Sequence, residues 1–377
     1  MIFDSLGSNY TFKSAIRFLL ATGNKQDSRQ LKDYLNQKYR GQSELYYRGR
    51  GALTEALRRS GARSVAVNGY TCYAVEQAAR AAGVAVVYVD IAENKYHFSI
   101  SELQAAFKKQ AFEAVIVQNT YGQSIDIAQV EKFCQERKLA LIEDLAHSVG
   151  GYYPDGREVG TVGDFTMLSF GRDKHIDVVN GGALVDRKHA QSQPRKLAKA
   201  PLLTRKRDRL YPIISWKLRR ILFPVGLGGV FQKLFQGLGL VVRASDGAVC
   251  DDRSLPDYRA KIVLAKFRVL ETDRQRRLQL CVSVGRQVES GDNPIRLPIT
   301  VEPKKRDQLL SKLKRKGMYL FDIWYSTPVY PQRYMSSSSY QPGSCPRAEA
   351  VAASIINLPL HINVTEQKLM EISNELK

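Results

Sequence analysis

Short apolar runs and amphipathic segments alternate regularly between residues 60 and 185 of the chain. Four of the apolar runs predict strands, at 63–67, 84–90, 114–119 and 139–144. Three capped, amphipathic segments predict helices, at 74–83, 101–110 and 126–138. Because the predicted strands are apolar throughout and are separated by helices, they indicate a mostly parallel sheet that is covered by helices on both faces. The chain is therefore predicted to have an α/β fold.

Polar and aromatic residues follow the strands of this predicted sheet. In open sheets of this kind, ligands bind beyond the carboxyl ends of the strands. The stretches that occupy this position are 68–73, 119–123, 144–148 and 169–174. We therefore expect the functional site among these four stretches.

The length of the chain, 377 residues, predicts two or three domains at roughly 150 residues each. The regular pattern breaks past residue 185, and helical periodicity resumes near residue 256. We place a boundary near residue 245, between a large domain, 1–245, and a smaller C-terminal α/β domain, 246–377. Within the smaller domain, the sequence predicts a strand at 294–301 and helices at 305–317 and 365–377.

Five cysteines are scattered along the chain and form no CxxC pair. This usage predicts free thiols in a reducing compartment and no metal site. The N-terminal residues lack the features of a signal peptide, and no apolar run of about 18 residues predicts a spanning helix. The protein is therefore expected to be cytoplasmic.

The positive charge of the chain is concentrated in one region. The formal net charge is +20, from 57 Lys and Arg residues against 37 Asp and Glu residues. Residues 187–220 contain twelve basic residues and a single acidic one, Asp208, so they carry more than half of this charge. An apolar stretch with interspersed Lys and Arg overlaps them at 211–242. A local patch of this kind favours an anionic partner.

We call residues 187–242 the insert, because they interrupt the regular pattern, and three interpretations of them are open. The apolar side chains could pack on the protein or on a second subunit. Alternatively, the insert could bind an anionic membrane surface through six apolar residues beside Lys and Arg: Trp216, Ile221, Leu222, Phe223, Phe231 and Phe235. Nucleic-acid binding is the least favoured of the three, because clustered charge without a recognisable binding module is non-specific.

Candidates for catalysis lie in the region of the predicted sheet. Lys174 lies in a polar loop between two apolar runs. Asp144 ends a predicted strand, and His147 follows it by three residues. The turn at 48–51 is rich in Gly and opens a predicted helix, whose free backbone N–H groups would suit a phosphate.

These candidates belong to a longer series of motifs. In chain order the series is Gly49-Arg50-Gly51-Ala52-Leu53, Thr71-Cys72-Tyr73-Ala74, Tyr121-Gly122-Gln123, Glu143-Asp144-Leu145-Ala146-His147, Ser169-Phe170-Gly171-Arg172-Asp173-Lys174, Gly181-Gly182, Pro346-Arg347-Ala348-Glu349 and Leu358-Pro359-Leu360-His361. The series resembles the pattern of the DegT/DnrJ/StrS family of sugar aminotransferases. These enzymes depend on pyridoxal 5'-phosphate (PLP) and have the aspartate aminotransferase fold. The resemblance spans residues 45–377 and implies that fold and that cofactor.

The resemblance implies a catalytic role for three residues. Lys174 is similar to the family's lysine, which forms a Schiff base with PLP and shuttles a proton. Asp144 would hold the proton on the ring nitrogen of the cofactor. His147 would lie close to the ring or to its phenolic oxygen.

The resemblance also implies the residues that bind the cofactor's phosphate. They are Ser169 and the backbone of Gly49, Arg50 and Gly51. Arg50 stands where the family usually has Thr, and its guanidinium would add a charge-assisted contact.

Two positions depart from the family pattern. Cys72 stands where the family has an aromatic residue, so Tyr73 or Tyr70 is expected to stack on the cofactor ring instead. Asp252-Arg253-Ser254 stands where the family has Asn-Tyr-Arg, whose Asn reaches the phosphate of the neighbouring subunit. Arg253 could replace that Asn or could be a solvated charge.

The resemblance implies an aminotransferase that moves an amino group from glutamate to a keto-sugar, carried on a nucleotide, in polysaccharide or amino-sugar synthesis. It also implies a homodimer, which completes its site from both subunits. A related branch, the PLP-dependent sugar dehydratases, has His in place of the lysine. His175 is adjacent, but the spacing of the motif selects Lys174. The remaining alternative is a non-catalytic binding or regulatory protein at the membrane.

Overall fold

The computed structural model describes residues 1–189, 195–242 and 247–376 of the chain. Its strands, in chain order, are β1 Ile2–Phe3, β2 Gln42–Tyr46, β3 Ser64–Asn68, β4 Thr71–Cys72, β5 Ala85–Val89, β6 Ala114–Gln118, β7 Ala140–Asp144, β8 Phe165–Ser169, β9 Gly182–Asp186, β10 Ala198–Lys199, β11 Arg253–Ser254, β12 Arg296–Thr300, β13 Met318–Tyr319, β14 Val329–Tyr330 and β15 Ile355–Pro359.

The α-helices, in chain order, are α1 Phe12–Leu20, α2 Lys25–Tyr39, α3 Gly49–Ser60, α4 Tyr73–Ala82, α5 Ile100–Lys109, α6 Ile127–Arg137, α7 Leu202–Lys217, α8 Gly228–Gly237, α9 Asp257–Phe267, α10 Leu270–Ser283, α11 Pro303–Arg315, α12 Pro346–Ser354 and α13 Glu366–Glu375. A π-helical turn, Leu218–Leu222, continues directly from α7. None of the helices in the described ranges combines the length and the apolar composition needed to cross a bilayer.

A large mixed sheet forms the centre of the molecule, with its strands in the order β10-β11-β2-β9-β8-β7-β6-β3-β5. The strands β5, β3, β6, β7 and β8 run parallel to one another, whereas β9 is antiparallel to both β8 and β2. The predicted α/β fold with a mostly parallel sheet is confirmed. The predicted strands and helices between residues 60 and 185 are all present, and their ends differ from the prediction by at most one residue.

The apolar strands are buried on both faces of this sheet. All five residues of β6 are buried. Val115 and Val117 belong to the core on one face, whereas Ala114 and Ile116 belong to the core on the other. Because side chains alternate along a strand, a strand that is covered on both faces needs apolar residues at every position.

The helices between these strands begin and end at the residues that the sequence indicates. Ser99 caps α5, and the carboxylate of Glu102 accepts a hydrogen bond from the Ser99 N–H at 3.0 Å, which completes a capping box. Asp126 caps α6. Gly83 ends α4 with a φ of 75°, in the left-handed region that favours glycine.

A smaller group of elements forms in the C-terminal part of the chain. β12 pairs antiparallel with β15, and its apolar face packs with residues of α10, α11 and α13. The first strand, β1, pairs with β13, so Ile2 joins this smaller core rather than the large one. The predicted boundary near residue 245 lies outside the described residues, and the division into two domains stays a prediction.

The insert packs its aromatic residues against the large core. Phe223, Phe231 and Phe235 all contact this core, and Trp216 packs on Phe12 with ring centroids 4.8 Å apart. These contacts leave the four aromatic side chains half-buried, and attachment of the insert to a membrane stays a prediction. Packing on the protein, the first of the three interpretations of the insert, accounts for the contacts of these aromatic residues.

Candidate active site

A cavity of about 120 Å³ lies at the carboxyl ends of the parallel strands, and we call it the Lys174 cavity. The last residues of three neighbouring strands, Gln118, Asp144 and Ser169, line it. Of the residues that the sequence predicts for the site, six line this cavity and two, Gly51 and Tyr73, do not; the six are Lys174, Asp144, His147, Ser169, Gly49 and Arg50. The tertiary structure therefore brings together residues that are up to 125 positions apart in the chain.

Lys174 lies in the loop between β8 and β9. Burial is the main cause that lowers the pKa of its amine to about 8; the charge of Arg296 acts in the same direction, whereas Cys72 and Asp144 act in the opposite direction. A lysine with a lowered pKa has a substantial fraction of neutral amine near neutral pH, and only the neutral amine is a nucleophile.

Asp144 is 2% exposed at the end of β7. Burial raises the pKa of its carboxyl to about 6, while the Ala146 N–H, which donates to Oδ1 at 2.8 Å, and the charge of Lys174 both lower it. The carboxyl is therefore ionised at neutral pH. A buried carboxylate is a strong partner for a cation or a protonated ring nitrogen.

His147 is fully buried and uncharged. Burial lowers the pKa of its ring well below the usual range, and the charge of Lys174 adds to the effect. The Tyr121 N–H donates to Nδ1 at 3.3 Å, so in the neutral ring the proton is on Nε2, which lies 3.1 Å from the Tyr325 hydroxyl. His147 therefore contributes a flat neutral ring with a fixed orientation.

Trp324 also lines the cavity, although the sequence does not single it out. Its ring stacks on His147 with centroids 5.0 Å apart and an interplanar angle of 4°. The Lys174 amine lies 4.3 Å from the ring centroid, and the Arg296 guanidinium lies 3.9 Å from it. These distances fit cation–π contacts. Trp324 and its neighbour Tyr325 follow Lys174 by about 150 residues, so no local spacing connects them to the motif.

The two tyrosines that were expected to stack on the cofactor ring lie elsewhere. Tyr73 begins α4, and its ring stacks on Tyr334 with centroids 4.7 Å apart. Tyr70 is fully buried behind the site, where its hydroxyl donates to the Tyr325 carbonyl oxygen at 3.0 Å. Cys72 lines the cavity between them. The structure therefore does not place Tyr73 in the cofactor-binding role that the sequence predicted, because its ring is held against Tyr334.

The first turn of α3 approaches the end of β8 very closely. A Cβ added to Gly49 would lie 3.0 Å from the Cβ of Ser169, and one added to Gly182 would lie 2.5 Å from the Cα of Gly49. Two glycines are therefore needed for the start of this helix to reach Ser169. Free N–H groups at a helix start favour an anion, and the Ser169 hydroxyl adds a further donor.

The Arg50 side chain and the Gly51 backbone contact other parts of the protein. Arg50 lines the cavity, but its Nη1 donates to Gln77 Oε1 at 2.8 Å and to the carbonyl oxygen of Gly247. A Cβ on Gly51 would lie 2.8 Å from the carbonyl oxygen of Cys250, so this glycine makes room for a neighbouring segment and does not line the cavity. The guanidinium of Arg50 is thus anchored by the protein itself.

Arg253 lies outside the cavity. It forms part of β11, its side chain lies 3.0 Å from the Asp252 carboxylate, and its Nη1 donates to the Lys199 carbonyl oxygen at 3.2 Å. Its role across a subunit interface stays a prediction.

The fold and the cavity define an aspartate aminotransferase-like protein. At the strand ends of its α/β sheet, a lysine amine, a buried carboxylate and the first turn of a helix line one cavity. The chain belongs to the DegT/DnrJ/EryC1/StrS aminotransferase family, whose model matches residues 47–211 and 255–377. The family resemblance found in the sequence is confirmed. The match includes the first part of the insert, so the segment outside the family pattern begins at residue 212 rather than 187.

Relatives of the chain cover most of its length at low identity. An aminotransferase of Acidithiobacillus ferrooxidans, named for UDP-N-acetyl-3-dehydro-α-D-glucosamine, is 24% identical over 318 residues, which are 83% of this chain and 76% of that protein. A protein of Geobacillus stearothermophilus named "Pleiotropic regulatory protein" is 23% identical over 337 residues, 85% of this chain and 80% of that protein.

The fold also agrees with solved structures. The Streptococcus pneumoniae protein Spr1654, in its PMP form, has a TM-score of 0.73 and 16% identity, and the match covers 100% of this chain and 98% of that one. At this identity the likeness concerns the fold, and it confirms the predicted fold class.

Proposed function

We propose that the chain is a PLP-dependent aminotransferase that transfers an amino group from glutamate to a keto-sugar carried on a nucleotide. One observation carries this proposal above the others: a lysine with a pKa of about 8 shares a small cavity with a buried carboxylate and the start of α3. These three groups fit the aldehyde, the ring nitrogen and the phosphate of PLP. Together they suit a cofactor with a cationic ring and an anionic phosphate group.

The cofactor, when bound, supplies an aldehyde that takes up an amine and a ring that accepts electrons from the substrate. The protein's own residues provide the rest. The Asp144 carboxylate would hold a proton on the ring nitrogen of the cofactor, because a buried carboxylate stabilises a cation beside it. Ser169 and the first turn of α3 bind the phosphate.

Lys174 has two tasks in this proposal. Its neutral amine would hold the cofactor covalently, and the same amine, when free, would accept and donate the proton that moves during amino transfer. The rings of His147 and Trp324 are buried and line the same cavity as this amine. His175, the residue expected of the dehydratase branch, lines a neighbouring cavity but not this one.

The donor half of the reaction tests the proposal. Purified protein with PLP should show an absorbance band near the visible region, and glutamate should shift it as the cofactor takes up the amino group. Borohydride should link the cofactor irreversibly to the protein at Lys174. The Lys174→Ala variant should lose both effects, whereas Lys109→Ala, at an exposed position of α5, should keep them. Protein that takes up no PLP, or a Lys174→Ala variant that still transaminates, would remove the proposal.

The substrate class rests on the relatives. The Acidithiobacillus protein is named as an aminotransferase for a nucleotide-linked dehydro-sugar. We infer the same class of acceptor here, a keto-sugar on a nucleoside diphosphate, in the synthesis of surface polysaccharides or amino sugars.

We also infer that the active form is a homodimer. The segment 250–254 lies against the start of α3, since the backbone of Cys250 and Asp251 limits the space at Gly51. Arg253 follows directly in this segment, half-exposed, and is the candidate that reaches the cofactor phosphate of the partner subunit.

Peripheral attachment of this cytoplasmic enzyme to an anionic membrane is the last part of the proposal. Among the described residues of the insert, nine large apolar side chains are exposed: Leu202, Leu203, Leu210, Ile221, Val225, Leu227, Val230, Leu234 and Leu238. On and around α8, four of them recur every three or four residues and therefore share one face. The basic residues Lys217, Arg220 and Lys233 are exposed in the same insert. Exposed apolar residues beside lysine and arginine favour an anionic lipid surface.

A further inference from the structure

The loop that carries Lys174 has a strained backbone. We call residues 170–181, between β8 and β9, the Lys174 loop. On the two sides of the lysine, Asp173 and Val179 have φ values of 61° and 71°, in the left-handed region that residues other than glycine rarely adopt. Such a conformation costs free energy and persists only where the surrounding structure imposes it. The contacts that impose it therefore decide where the lysine lies.

The carboxylate of Asp177 holds both strained residues of the loop. It is buried, and it accepts hydrogen bonds from the Asp173 N–H at 3.0 Å and from the Val179 N–H at 2.9 Å. These two bonds tie both ends of the segment 173–179 to one side chain. The position of the Asp177 carboxylate thus sets the conformation of the segment that contains Lys174.

Two residues near the N-terminus hold this carboxylate from outside the loop. The hydroxyl of Tyr10, a residue that is 2% exposed, donates to Asp177 Oδ1 at 2.8 Å. Nδ2 of Asn9 donates to Asp177 Oδ2 at 3.1 Å, and it lies 3.3 Å from the carbonyl oxygen of Lys174. Each carboxylate oxygen therefore accepts one hydrogen bond from the loop and one from the N-terminal residues. A buried carboxylate that loses such a donor is left with an unsatisfied acceptor.

The insert holds these N-terminal residues through one arginine. Arg219, in the π-helical turn after α7, is buried, and its guanidinium donates to three carbonyl oxygens. They belong to Leu6 at 3.0 Å, Gly7 at 2.7 Å and Tyr10 at 2.9 Å. Gly7 has a φ of 69°, and a Cβ at this position would clash with Ser215 of α7. The backbone of this segment thus bends around the insert and is fixed by it.

Both of these segments lie outside the family pattern. The family model matches residues 47–211 and 255–377, so it includes Lys174 and Asp177 but neither Tyr10 nor Arg219. The last two residues are 209 positions apart in the chain. Two segments that the pattern lacks therefore meet each other and together hold the loop that carries the lysine.

We propose that the insert positions the catalytic lysine. Arg219 fixes residues 6–10 of the chain. Two side chains of this segment fix the Asp177 carboxylate, and the carboxylate fixes the loop around Lys174. Neither Arg219 nor Tyr10 lines the Lys174 cavity, so both are positioning residues that act through Asp177. The inference rests on the proposed function, which gives the lysine its reaction with PLP.

The rate at which the full-length apoprotein attaches PLP tests the proposal. Tyr10→Phe removes one hydroxyl group and keeps the ring. At saturating PLP its attachment rate, followed by stopped-flow absorbance, should be about tenfold below the wild-type rate, because the loosened carboxylate lets the strained loop leave the conformation that presents the amine. Amide hydrogen exchange over residues 171–180, measured by mass spectrometry without PLP, should be faster for the same reason.

Two further variants test the link to the insert. Arg219→Lys keeps the charge but lacks the planar fork that reaches three carbonyl oxygens. Gly7→Ala disturbs the same contact from the N-terminal side. Both should slow attachment as Tyr10→Phe does. In the double variant of Arg219→Lys and Tyr10→Phe the two effects should not multiply, because both act through Asp177.

Tyr153→Phe is the matched control. Tyr153 is also 2% exposed, and its hydroxyl donates to a buried carboxylate, that of Glu143, at 2.7 Å. Loss of this hydroxyl should lower the free energy of unfolding as Tyr10→Phe does. It should leave the attachment rate and the exchange of residues 171–180 unchanged, so the comparison separates positioning of the lysine from stability of the fold.

The proposal is overturned if Tyr10→Phe attaches PLP at the wild-type rate, or if Tyr153→Phe slows attachment equally. Wild-type rates in both Arg219→Lys and Gly7→Ala also overturn it, since the insert would then have no part in positioning. The glutamate-induced absorbance shift is a separate readout. Its presence in the wild type together with unchanged rates in the variants would leave the aminotransferase proposal standing and remove this one, whereas a wild type that attaches no PLP would remove both.

Discussion

The reactivity of Lys174 is set by its surroundings rather than by its residue type. An exposed lysine keeps its proton near neutral pH, but burial beside Arg296 lowers the pKa of this amine to about 8. Asp144 partly opposes that shift with its own negative charge. The charges of Arg296 and Asp144 thus help to set the fraction of neutral amine, and the Asp144 carboxylate is available to bind the cofactor ring.

We therefore expect PLP uptake by the apoprotein to depend on pH with a midpoint near 8. The neutral amine is the reacting form, so the uptake rate should rise about tenfold per pH unit below the midpoint and level off above it. Stopped-flow absorbance between pH 6 and 10 measures this profile. In Asp144→Asn the midpoint should move to lower pH, because the charge that supports the ammonium is gone. A midpoint near 10 in the wild type would contradict this prediction.

At the scale of elements, α7 is fixed to the sheet by the one acidic residue of the basic region. Asp208 is 5% exposed, and its carboxylate accepts from Asn180 Nδ2 at 2.8 Å, from Arg259 Nη2 at 2.9 Å and from the Tyr47 hydroxyl. Arg172, in the loop that contains Lys174, lies 3.4 Å from the same carboxylate. The helix that carries part of the basic region is therefore joined to residues that line the active site.

We expect Asp208→Asn to lower the free energy of unfolding by ~3 kcal/mol at pH 7, because it leaves the buried Arg259 without its counter-charge. Burial alone would raise the pKa of Asp208, but Arg259 and Arg172 hold it below 3.8. The carboxylate thus stabilises the fold above that pH, and the stabilisation is lost as pH falls through the folded-state pKa. Urea unfolding measures the difference, which should shrink in acid.

Asp307→Asn, at a side chain that is 92% exposed, is the control for this experiment. Its effect should be within about 0.5 kcal/mol. If Asp208→Asn is equally mild, the buried charge cluster does not hold α7 in place.

At the scale of the whole molecule, the first prediction concerns the subunits. Light scattering should give a mass of about 85 kDa, twice the 42.5 kDa of one chain. Arg253→Ala should weaken PLP binding, measured by absorbance titration, if the side chain reaches the partner's phosphate. The control is Lys199→Ala, whose exposed side chain lies on the neighbouring strand β10. A monomer with full activity would remove the dimer from the proposal.

The second prediction at this scale concerns membranes. The protein should sediment with vesicles of phosphatidylglycerol at low salt and be released by added salt, since each Lys or Arg near the surface contributes about 1 kcal/mol. Removing charge at Lys217 and Arg220, and introducing Asp at Val230 and Leu234, should each reduce binding. Arg219 is not a suitable target, because it is 3% exposed and donates to the carbonyl oxygens of residues 6, 7 and 10.

Val282→Asp is the control for the membrane experiment. It changes an apolar side chain that is 63% exposed on α10, outside the insert, and should leave sedimentation unchanged. Protein that stays in the supernatant at low salt would show that the exposed face of the insert has another role.

The sequence alone determined the sheet, its helices and the order of the motifs. Periodicity and capping act within a single element, so the buried alternation of β6 and the capping box at Ser99 and Glu102 can be recognised without any distant partner. The motif around Lys174 is equally local, because the amine must follow a strand by a fixed number of residues to lie at the sheet edge. For this reason six of the predicted site residues meet in one cavity.

Only the tertiary structure decided what surrounds that amine. Trp324 and Tyr325 line the cavity from a loop that lies about 150 residues after Lys174, and no local sequence pattern predicts them. Tyr73 lies outside the site because its ring stacks on Tyr334. The packing of α7 and α8 on the core decides which apolar residues of the insert are packed and which are exposed. These outcomes depend on contacts between elements far apart in the chain, where packing and desolvation, not local propensity, set the free energy.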